Sequence, residues 1–471
     1  MRRIAIAFIL LAGPAFAQAE RYELGRRVHD FEVTWEEKTD AQARKRAATL
    51  INEAVQTLFK LNLTGGAKLV DDARHALESA DPAPAAVRWA DSLQVVPESR
   101  AVDAEVDTMS VTIKSFYKVD GDAPKGVKLR AKLGTGKPVE AEIDKLPMTV
   151  KVPVAEVPGT ASADFKLTAE LILDGKLLAT KQVGVSRIEK FAERFATVKK
   201  AAKDLPSPPK TMEEATFALL VKMLEGYVNK TTPETDFPAS RLTFGAERMM
   251  KAVNEPDPYY IPSRPGDFWL SIPIEKKTTI VRIRIPPKLE TKKEAVPILF
   301  VLHGMAGSEN MFFEGYGDGI VPRMASQRGW IVVAPRVEGL LGAGPAPDVP
   351  GILDALTKRY PIDINRVYVA GHSMGAGHAI ELAQKHPGRF AAVAALGGGG
   401  KVSKPEAIQK IRFFVGCGKM DFALEKAKSL HKDLTEAKSS STLKEYEDIE
   451  HMLIVREAAD DVFKFFEEKK K

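Results

Sequence analysis

The pentapeptide Gly-His-Ser-Met-Gly at residues 371–375 constrains the fold of this chain more than any other feature. An apolar run precedes it at residues 367–370, and a helix-like stretch follows it at residues 376–386. This order predicts a strand, a sharp turn and a helix, with the hydroxyl of Ser373 exposed at the tip of the turn. Glycines on both sides suit such a turn, because they let a strand and a helix approach closely. The alternative interpretation is a glycine-rich loop that carries a surface serine.

The composition predicts a globular protein of several domains. The chain has 471 residues, of which 44% are hydrophobic and 28% charged, and its net charge is +6. Lysines and acidic residues alternate along most of the chain, so we expect a solvated surface and no nucleic-acid partner. Cys417 is the only cysteine, which excludes an intramolecular disulfide, and we interpret it as a small packed residue.

The N-terminus has the pattern of a signal peptide. Arg2 and Arg3 are followed by an apolar stretch at residues 4–11, and Ala15 and Ala17 form a small-x-small cleavage site. We therefore expect cleavage after Ala17 and an exported protein, either periplasmic or secreted. No later segment reaches the roughly 18 apolar residues of a membrane span, so we expect no membrane anchor.

Changes in hydrophobic period divide the rest of the chain into four segments. Apolar residues at helical spacing predict a helical segment at residues 18–98, in which we expect Gly65 and Gly66 to separate two helices. Alternating apolar residues predict a small β-sandwich at residues 99–186. A second helical segment follows at residues 187–255, where Thr211 and Glu214 have the spacing of a capping box.

Strand and helix patterns alternate from residue 256 to residue 471. The first strand, at residues 281–285, is expected to be antiparallel. Later apolar runs are separated mostly by helical stretches, which predicts a mostly parallel sheet with helices on both faces. These runs lie at residues 298–302, 330–334, 367–370, 391–396, 413–415 and 443–449.

With its pentapeptide in this setting, the segment from about residue 265 to the end resembles the α/β-hydrolase superfamily. It is most similar to the secreted esterases around polyhydroxybutyrate depolymerases, feruloyl esterases and dienelactone hydrolases. The resemblance implies a catalytic triad in the chain order Ser, Asp or Glu, His. Asp421, in the loop after the strand at 411–415, matches the acid position, and His451 matches the histidine. The alternatives are a helix N-cap for Asp421 and a surface position for His451.

The resemblance also implies an oxyanion hole, formed by backbone N–H groups that stabilise the negative oxygen of the tetrahedral intermediate. We expect the donors to be Met374, directly after Ser373, and Met305, in the His-Gly loop after the strand at 298–302. His303 in that loop is interpreted as structural. Apolar residues nearby either line a pocket for the substrate or belong to the core; they are Met305, Met311, Phe312, Phe313, Tyr316 and Met374. We expect no metal and no cofactor.

The leading hypothesis is an exported serine hydrolase that cleaves carboxylic esters through an acyl-enzyme, with a small-molecule or polymeric ester as substrate. One alternative is a peptidase of the prolyl-oligopeptidase type, although about 85 residues of β pattern are too few for its propeller. Another is a non-catalytic hydrolase-like domain that serves as a binding module. The sequence leaves the acyl and alcohol specificity, the role of the N-terminal half and the oligomeric state open.

Overall fold

The computed structural model describes residues 14–231, 234–290, 294–339 and 342–468. The predicted signal peptide lies outside the described residues as far as residue 13, and its last four residues belong to the first helix. None of the described helices is both long enough and apolar enough to cross a bilayer. The N-terminal region is helical, as predicted. Its helices are α1 (Pro14–Glu37), α2 (Ala41–Phe59), α3 (Leu63–Glu78) and α4 (Ala85–Ser92).

Helices α2 and α3 form a close antiparallel pair. Asp40 caps α2, and the Asn62 side chain caps α3 by accepting from the Gly65 N–H at 2.9 Å. The predicted break at Gly65 and Gly66 is therefore wrong, because both glycines lie in the first turn of α3. A Cβ at Gly66 would approach the Leu58 side chain of α2 to 2.5 Å. Glycine at this position permits the close contact between the two helices.

Two sheets follow these helices. Their strands are β1 (Leu93–Pro97), β2 (Ala101–Asp103), β3 (Thr108–Ser115), β4 (Lys128–Leu133), β5 (Val139–Glu142), β6 (Met148–Pro153), β7 (Ala163–Leu173) and β8 (Lys176–Ile188). One sheet has the order β1-β3-β6, and the other has the order β2-β8-β7-β4-β5. Buried side chains of both sheets belong to one hydrophobic cluster. The interpretation of this region as a small β-sandwich stays a prediction.

Three helices connect these sheets to the C-terminal region. They are α5 (Phe191–Ala201), α6 (Met212–Val228) and α7 (Ala239–Ala252). The predicted capping box at the start of α6 is present, with Thr211 and Glu214 each bonded to the backbone of the other. The apolar sides of α5, α6 and α7 belong to the same cluster as one face of the C-terminal sheet. Helix α6 packs directly on this sheet at β9, and α5 and α7 pack against α6.

The C-terminal region contains one sheet of eight strands. Its strands are β9 (Gly266–Ile274), β10 (Lys277–Ile285), β11 (Val296–Leu302), β12 (Ile331–Pro335), β13 (Ile362–His372), β14 (Ala392–Leu396), β15 (Arg412–Gly418) and β16 (Ser440–Tyr446). Their order is β16-β15-β14-β13-β11-β12-β10-β9. The pairs from β12 to β16 are parallel, whereas β10 is antiparallel to β9 and β12. The predicted mostly parallel sheet with an antiparallel early strand is confirmed.

Helices cover both faces of this sheet. They are α8 (Met311–Glu314), α9 (Tyr316–Arg328), α10 (Val349–Thr357), α11 (Met374–Lys385), α12 (Pro405–Ile408), α13 (Leu424–Glu436) and α14 (Ile454–Glu467). Successive residues of β11 belong to two different hydrophobic clusters. Phe300 belongs to the cluster that includes residues of α5, α6 and α7, and Val301 belongs to the cluster that includes residues of α9 and α14. The second cluster also contains Phe31 and Trp35 of α1. The N-terminal helices thus pack directly against the C-terminal region.

Candidate active site

Ser373 lies at the junction of β13 and α11, where strand, turn and helix follow one another as predicted. Its backbone has φ 54° and ψ −114°, a strained conformation for a residue that is not glycine. The Ser373 N–H donates to the Leu396 carbonyl at 2.9 Å, which ties the turn to the end of β14. A Cβ at Gly375 would overlap the Leu302 carbonyl oxygen of β11. The second glycine of the pentapeptide therefore lets α11 start directly against the sheet.

Asp421 and His451 form a buried pair beside this turn. His451 Nδ1 lies 3.0 Å from Asp421 Oδ1 and 3.1 Å from Oδ2, and the two residues are 2% and 4% exposed. The carboxylate also accepts from the Ala423 N–H at 2.7 Å. Burial acts to raise the pKa of Asp421, but the hydrogen bond and charge of His451 outweigh it and hold this pKa below its usual value. An ionised carboxylate in this place orients the imidazole with its Nδ1 protonated.

Ser373 and His451 line the same cavity of about 390 Å³. Met374, the glycine loop at residues 397–400 and Phe422 complete much of its wall. Within the described parts of the chain, no hydrogen bond joins the side chains of Ser373 and His451. Such catalytic contacts are often long in the absence of substrate and shorten when it binds.

Of the two predicted oxyanion donors, Met374 follows Ser373 in the chain and Met305 belongs to a loop that contacts it. Met374 is the first residue of α11, so its N–H is one of the donors that an α-helix leaves without an internal partner. Met305 follows Gly304, and a Cβ at Gly304 would lie 3.2 Å from Ser373 Cβ. The loop after β11 therefore contacts the turn that carries the serine.

A second hydrogen-bonded chain, which the sequence analysis missed, connects this turn to the His451 backbone. His372 Nε2 donates to the His451 carbonyl at 2.8 Å, and Nδ1 accepts from the Tyr316 hydroxyl at 2.6 Å. Burial and the neighbouring His451 lower the pKa of His372 to about 3, so its ring stays neutral. Because a carbonyl can only accept, the neutral ring of His372 carries its proton on Nε2, which faces the His451 carbonyl. The pentapeptide contains His372, but nothing in the sequence places Tyr316 beside it.

Glu450 is a further residue that the sequence analysis missed. Its side chain is fully buried and accepts from the N–H groups of Met452 at 2.7 Å and Leu453 at 2.9 Å. Burial raises the pKa of Glu450 to about 8, in spite of these two bonds. The carboxyl group thus anchors the turn that begins at His451 and leads into α14.

Of the two interpretations of the apolar residues near the site, core packing holds for most of them. Phe312, Phe313 and Tyr316 are 1%, 8% and 2% exposed and belong to the core cluster beneath α9 and α14. Met311 packs against the same cluster, and Met305 is 45% exposed. Met374 is the member of this group that lines the cavity. The aromatic rings of α8 and of the first residue of α9 therefore belong to the core.

Two other residues from the sequence analysis, His303 and Cys417, are buried away from solvent. His303 is buried, with Nε2 accepting from the Val337 N–H at 3.4 Å, and Cys417 is fully buried. In the part of the chain that the structure describes, no three His, Cys, Asp or Glu residues come together in a way that would hold a metal ion.

The sheet order and the position of Ser373 after its central strand give the C-terminal region an α/β-hydrolase fold. A family model described as alpha/beta hydrolase fold matches residues 297–463, which confirms the resemblance to this superfamily.

Similar proteins include hydrolases with assigned activities. S-formylglutathione hydrolase of Bos taurus is 29% identical over 144 residues, a match that covers 24% of this chain and 49% of that protein, so it spans about half the relative's length. Among solved structures, a ferulic acid esterase is 18% identical with a TM-score of 0.38, and the match covers 43% of this chain and 98% of that one. An S-formylglutathione hydrolase from Staphylococcus aureus is 16% identical with a TM-score of 0.37, covering 44% of this chain and 98% of that one.

Proposed function

We propose that the protein is an exported serine hydrolase that cleaves carboxylic esters through an acyl-enzyme. One observation carries this proposal: Ser373 lies in the same cavity as a histidine that is paired with a buried carboxylate. Serine is a weak nucleophile at neutral pH unless an oriented base removes its proton. His451, paired with Asp421, supplies such a base.

In the proposed reaction, His451 Nε2 accepts the Ser373 proton as Oγ attacks the ester carbonyl carbon. The Met374 and Met305 N–H groups stabilise the oxyanion, each contributing about 3 to 4 kcal/mol by precedent. His451 then donates the proton to the leaving alcohol, and water repeats the sequence to release the acid. Asp421 stabilises the imidazolium throughout without accepting its proton.

Three further observations support acyl hydrolysis, an ester rather than a peptide as substrate, and export of the protein. The C-terminal region of this chain is similar to a protein named for hydrolysing S-formylglutathione, an acyl compound of the thioester class. The basic and apolar residues before Ala17, together with its small-x-small site, favour cleavage and export. The described strands before the hydrolase domain form two small sheets, and this favours an esterase over a peptidase with a propeller.

The test is hydrolysis of p-nitrophenyl acetate and p-nitrophenyl butyrate by the protein and by Ser373→Ala. We expect kcat to fall by several orders of magnitude in Ser373→Ala, and a fluorophosphonate probe to label the wild type at Ser373 but not the variant. Ser326→Ala, on α9 away from the cavity, serves as the matched control. A wild type that is as inactive as Ser373→Ala and is not labelled would refute the proposal and favour a binding module.

Export is tested separately by N-terminal sequencing of the protein recovered from the periplasm or the medium. A mature terminus at Gln18 is expected, and a protein that keeps Met1 and stays in the cytoplasm would contradict export.

A further inference from the structure

The C-terminal end of α2 lies beside Phe422 and His451, two residues that line the cavity with Ser373. Phe59 is the last residue of α2, and its ring meets the ring of Phe422 edge-on with centroids 5.7 Å apart. The centroids of Phe59 and His451 are 6.4 Å apart, and those of Phe422 and His451 are 4.4 Å apart. Two phenylalanine rings, one from each half of the chain, thus flank the imidazole.

Both rings are exposed to solvent to an unusual extent. Phe59 is 39% exposed and Phe422 is 43% exposed, although aromatic side chains gain much free energy from burial. Neighbouring exposed aromatic side chains at the edge of a cavity are typical of a binding surface. This surface, made of Phe59 and Phe422, is called the aromatic wall below.

The rest of the structure holds Phe59 in this position. The Asn52 side chain, two turns earlier in α2, donates to the Met420 carbonyl at 2.5 Å. Met420 directly precedes Asp421, and its N–H donates to the Ile449 carbonyl at 3.0 Å. The buried side of α2 also belongs to the core cluster that lies under α14. Helix α2 is therefore fixed to the loops that carry Asp421 and His451.

The aromatic wall lies on the histidine side of Ser373. The cavity is lined by loops that follow β14, β15 and β16, which contain Gly397, Phe422 and His451. The predicted oxyanion loop follows β11, on the other side of β13 in the sheet order. Because His451 must donate its proton to the leaving oxygen, the alcohol group of a bound ester has to lie on this side.

We propose that Phe59 and Phe422 form the subsite for the alcohol group of the ester, and that they favour aromatic alcohols over small aliphatic ones. This inference rests on the proposed esterase function. An aromatic ring in the leaving group packs against the exposed rings, edge-to-face or offset, while its oxygen lies beside His451. The N-terminal helical region thereby contributes a specificity-determining residue to a site whose chemistry belongs to the C-terminal domain.

The test compares benzyl acetate with ethyl acetate, which share their acyl group and differ in the alcohol. Release of acetic acid gives kcat/KM for each ester, and the ratio of the two values measures the contribution of the aromatic alcohol. We expect Phe59→Ala to lower this ratio roughly five- to tenfold, which is the size of one lost aromatic contact. Phe422→Ala should lower it at least as far.

Phe244→Ala is the matched control, because Phe244 is a 48% exposed phenylalanine on α7 and should leave the ratio unchanged. The ratio of p-nitrophenyl butyrate to p-nitrophenyl acetate should also change little in Phe59→Ala, since that pair varies only the acyl group. If Phe59→Ala does not fold, Phe59→Leu keeps an apolar side chain, and a smaller fall in the benzyl-to-ethyl ratio is expected.

The outcomes separate this inference from the proposed function. An active wild type whose benzyl-to-ethyl ratio is the same in Phe59→Ala or, if that variant does not fold, in Phe59→Leu would overturn the subsite and leave the esterase intact. A change in the butyrate-to-acetate ratio with no change in the benzyl-to-ethyl ratio would also overturn the proposed alcohol subsite. A protein that hydrolyses neither ester and is not labelled by fluorophosphonate would refute both proposals.

Discussion

Replacing Tyr316 by phenylalanine tests whether the second hydrogen-bonded chain positions the turn that carries Ser373. The substitution removes only the hydroxyl, which donates to His372 Nδ1 at 2.6 Å and accepts from the Gly304 backbone N–H. Tyr316 and His372 are both 2% exposed, so little water is available to take its place. His372 would keep its bond to the His451 carbonyl and lose the partner on the other side of its ring.

The expected loss of stability in Tyr316→Phe follows from His372 Nδ1, a buried acceptor that is left without a partner. A buried acceptor that loses its hydrogen bond destabilises a protein by about 1 to 3 kcal/mol. The ring itself stays packed against Phe312, at 4.9 Å between centroids, so no large cavity is created. We therefore expect the free energy of unfolding to fall by at least about 1 to 3 kcal/mol, nearly all of it from the lost hydrogen bonds.

The assay pairs denaturant unfolding with ester hydrolysis. Tyr360→Phe is the control, because the Tyr360 hydroxyl is buried and has no hydrogen-bond partner among the described residues. Its removal should leave the stability unchanged or raise it. In Tyr316→Phe, kcat should also fall, by roughly tenfold, because small displacements of a catalytic group slow the chemical step.

Equal stabilities for Tyr316→Phe and Tyr360→Phe would refute this reasoning. A loss of stability without any change in kcat would show that the chain through His372 is structural and does not position His451.

Three further predictions concern the acid and the turn. Asp421→Asn should lower kcat by roughly a thousandfold or more while the protein stays folded, because the amide stabilises the wrong histidine tautomer; a small loss would identify Asp421 as a helix cap. The depressed pKa of Asp421 means that its ionised form stabilises the fold above its usual pKa of 3.8, and that this contribution is lost as the pH falls towards the folded-state value. The difference in unfolding free energy between wild type and Asp421→Asn should therefore shrink in acid. A difference that is constant with pH would contradict a stabilising role of the ionised Asp421 carboxylate. Gly375→Ala should prevent folding, because its Cβ would overlap the Leu302 carbonyl, whereas Gly377→Ala has 3.5 Å to its nearest neighbour and should be soluble and folded.

The fold of the C-terminal region was predictable because its strands and helices are marked by local patterns. Buried strands such as β11 and β14 consist of apolar residues on both faces, which is typical of a covered parallel sheet. The start of α3 was predicted wrongly because it depends on a contact with the neighbouring helix α2, which local sequence patterns do not show. Gly65 and Gly66 have low helix propensity, but the contact of Gly66 with Leu58 requires glycine within the helix.

At the site, chain order was enough to nominate residues from three separate loops. Ser373, Asp421 and His451 each follow a strand of a parallel sheet, and such loops meet at one edge. The supporting residues were not predictable in this way. Tyr316 approaches His372 from a helix on the face of the sheet, and Phe59 comes from the opposite end of the chain. Neither position is marked by spacing or by any motif.

The contacts of α1 explain why the two halves of the chain are best regarded as one functional unit. Phe31 and Trp35 are 1% and 0% exposed, and they share a core cluster with α14, the helix that follows His451. Glu32 accepts from the Gly317 N–H at 2.5 Å, and burial raises the pKa of Glu32 to about 7. Without α1 and α2, the C-terminal domain would expose this apolar face, a large patch of the kind that soluble proteins rarely leave uncovered. The same packing that covers this face also brings Phe59 beside His451, so the stability of the C-terminal region and the shape of the proposed alcohol subsite depend on the same helices.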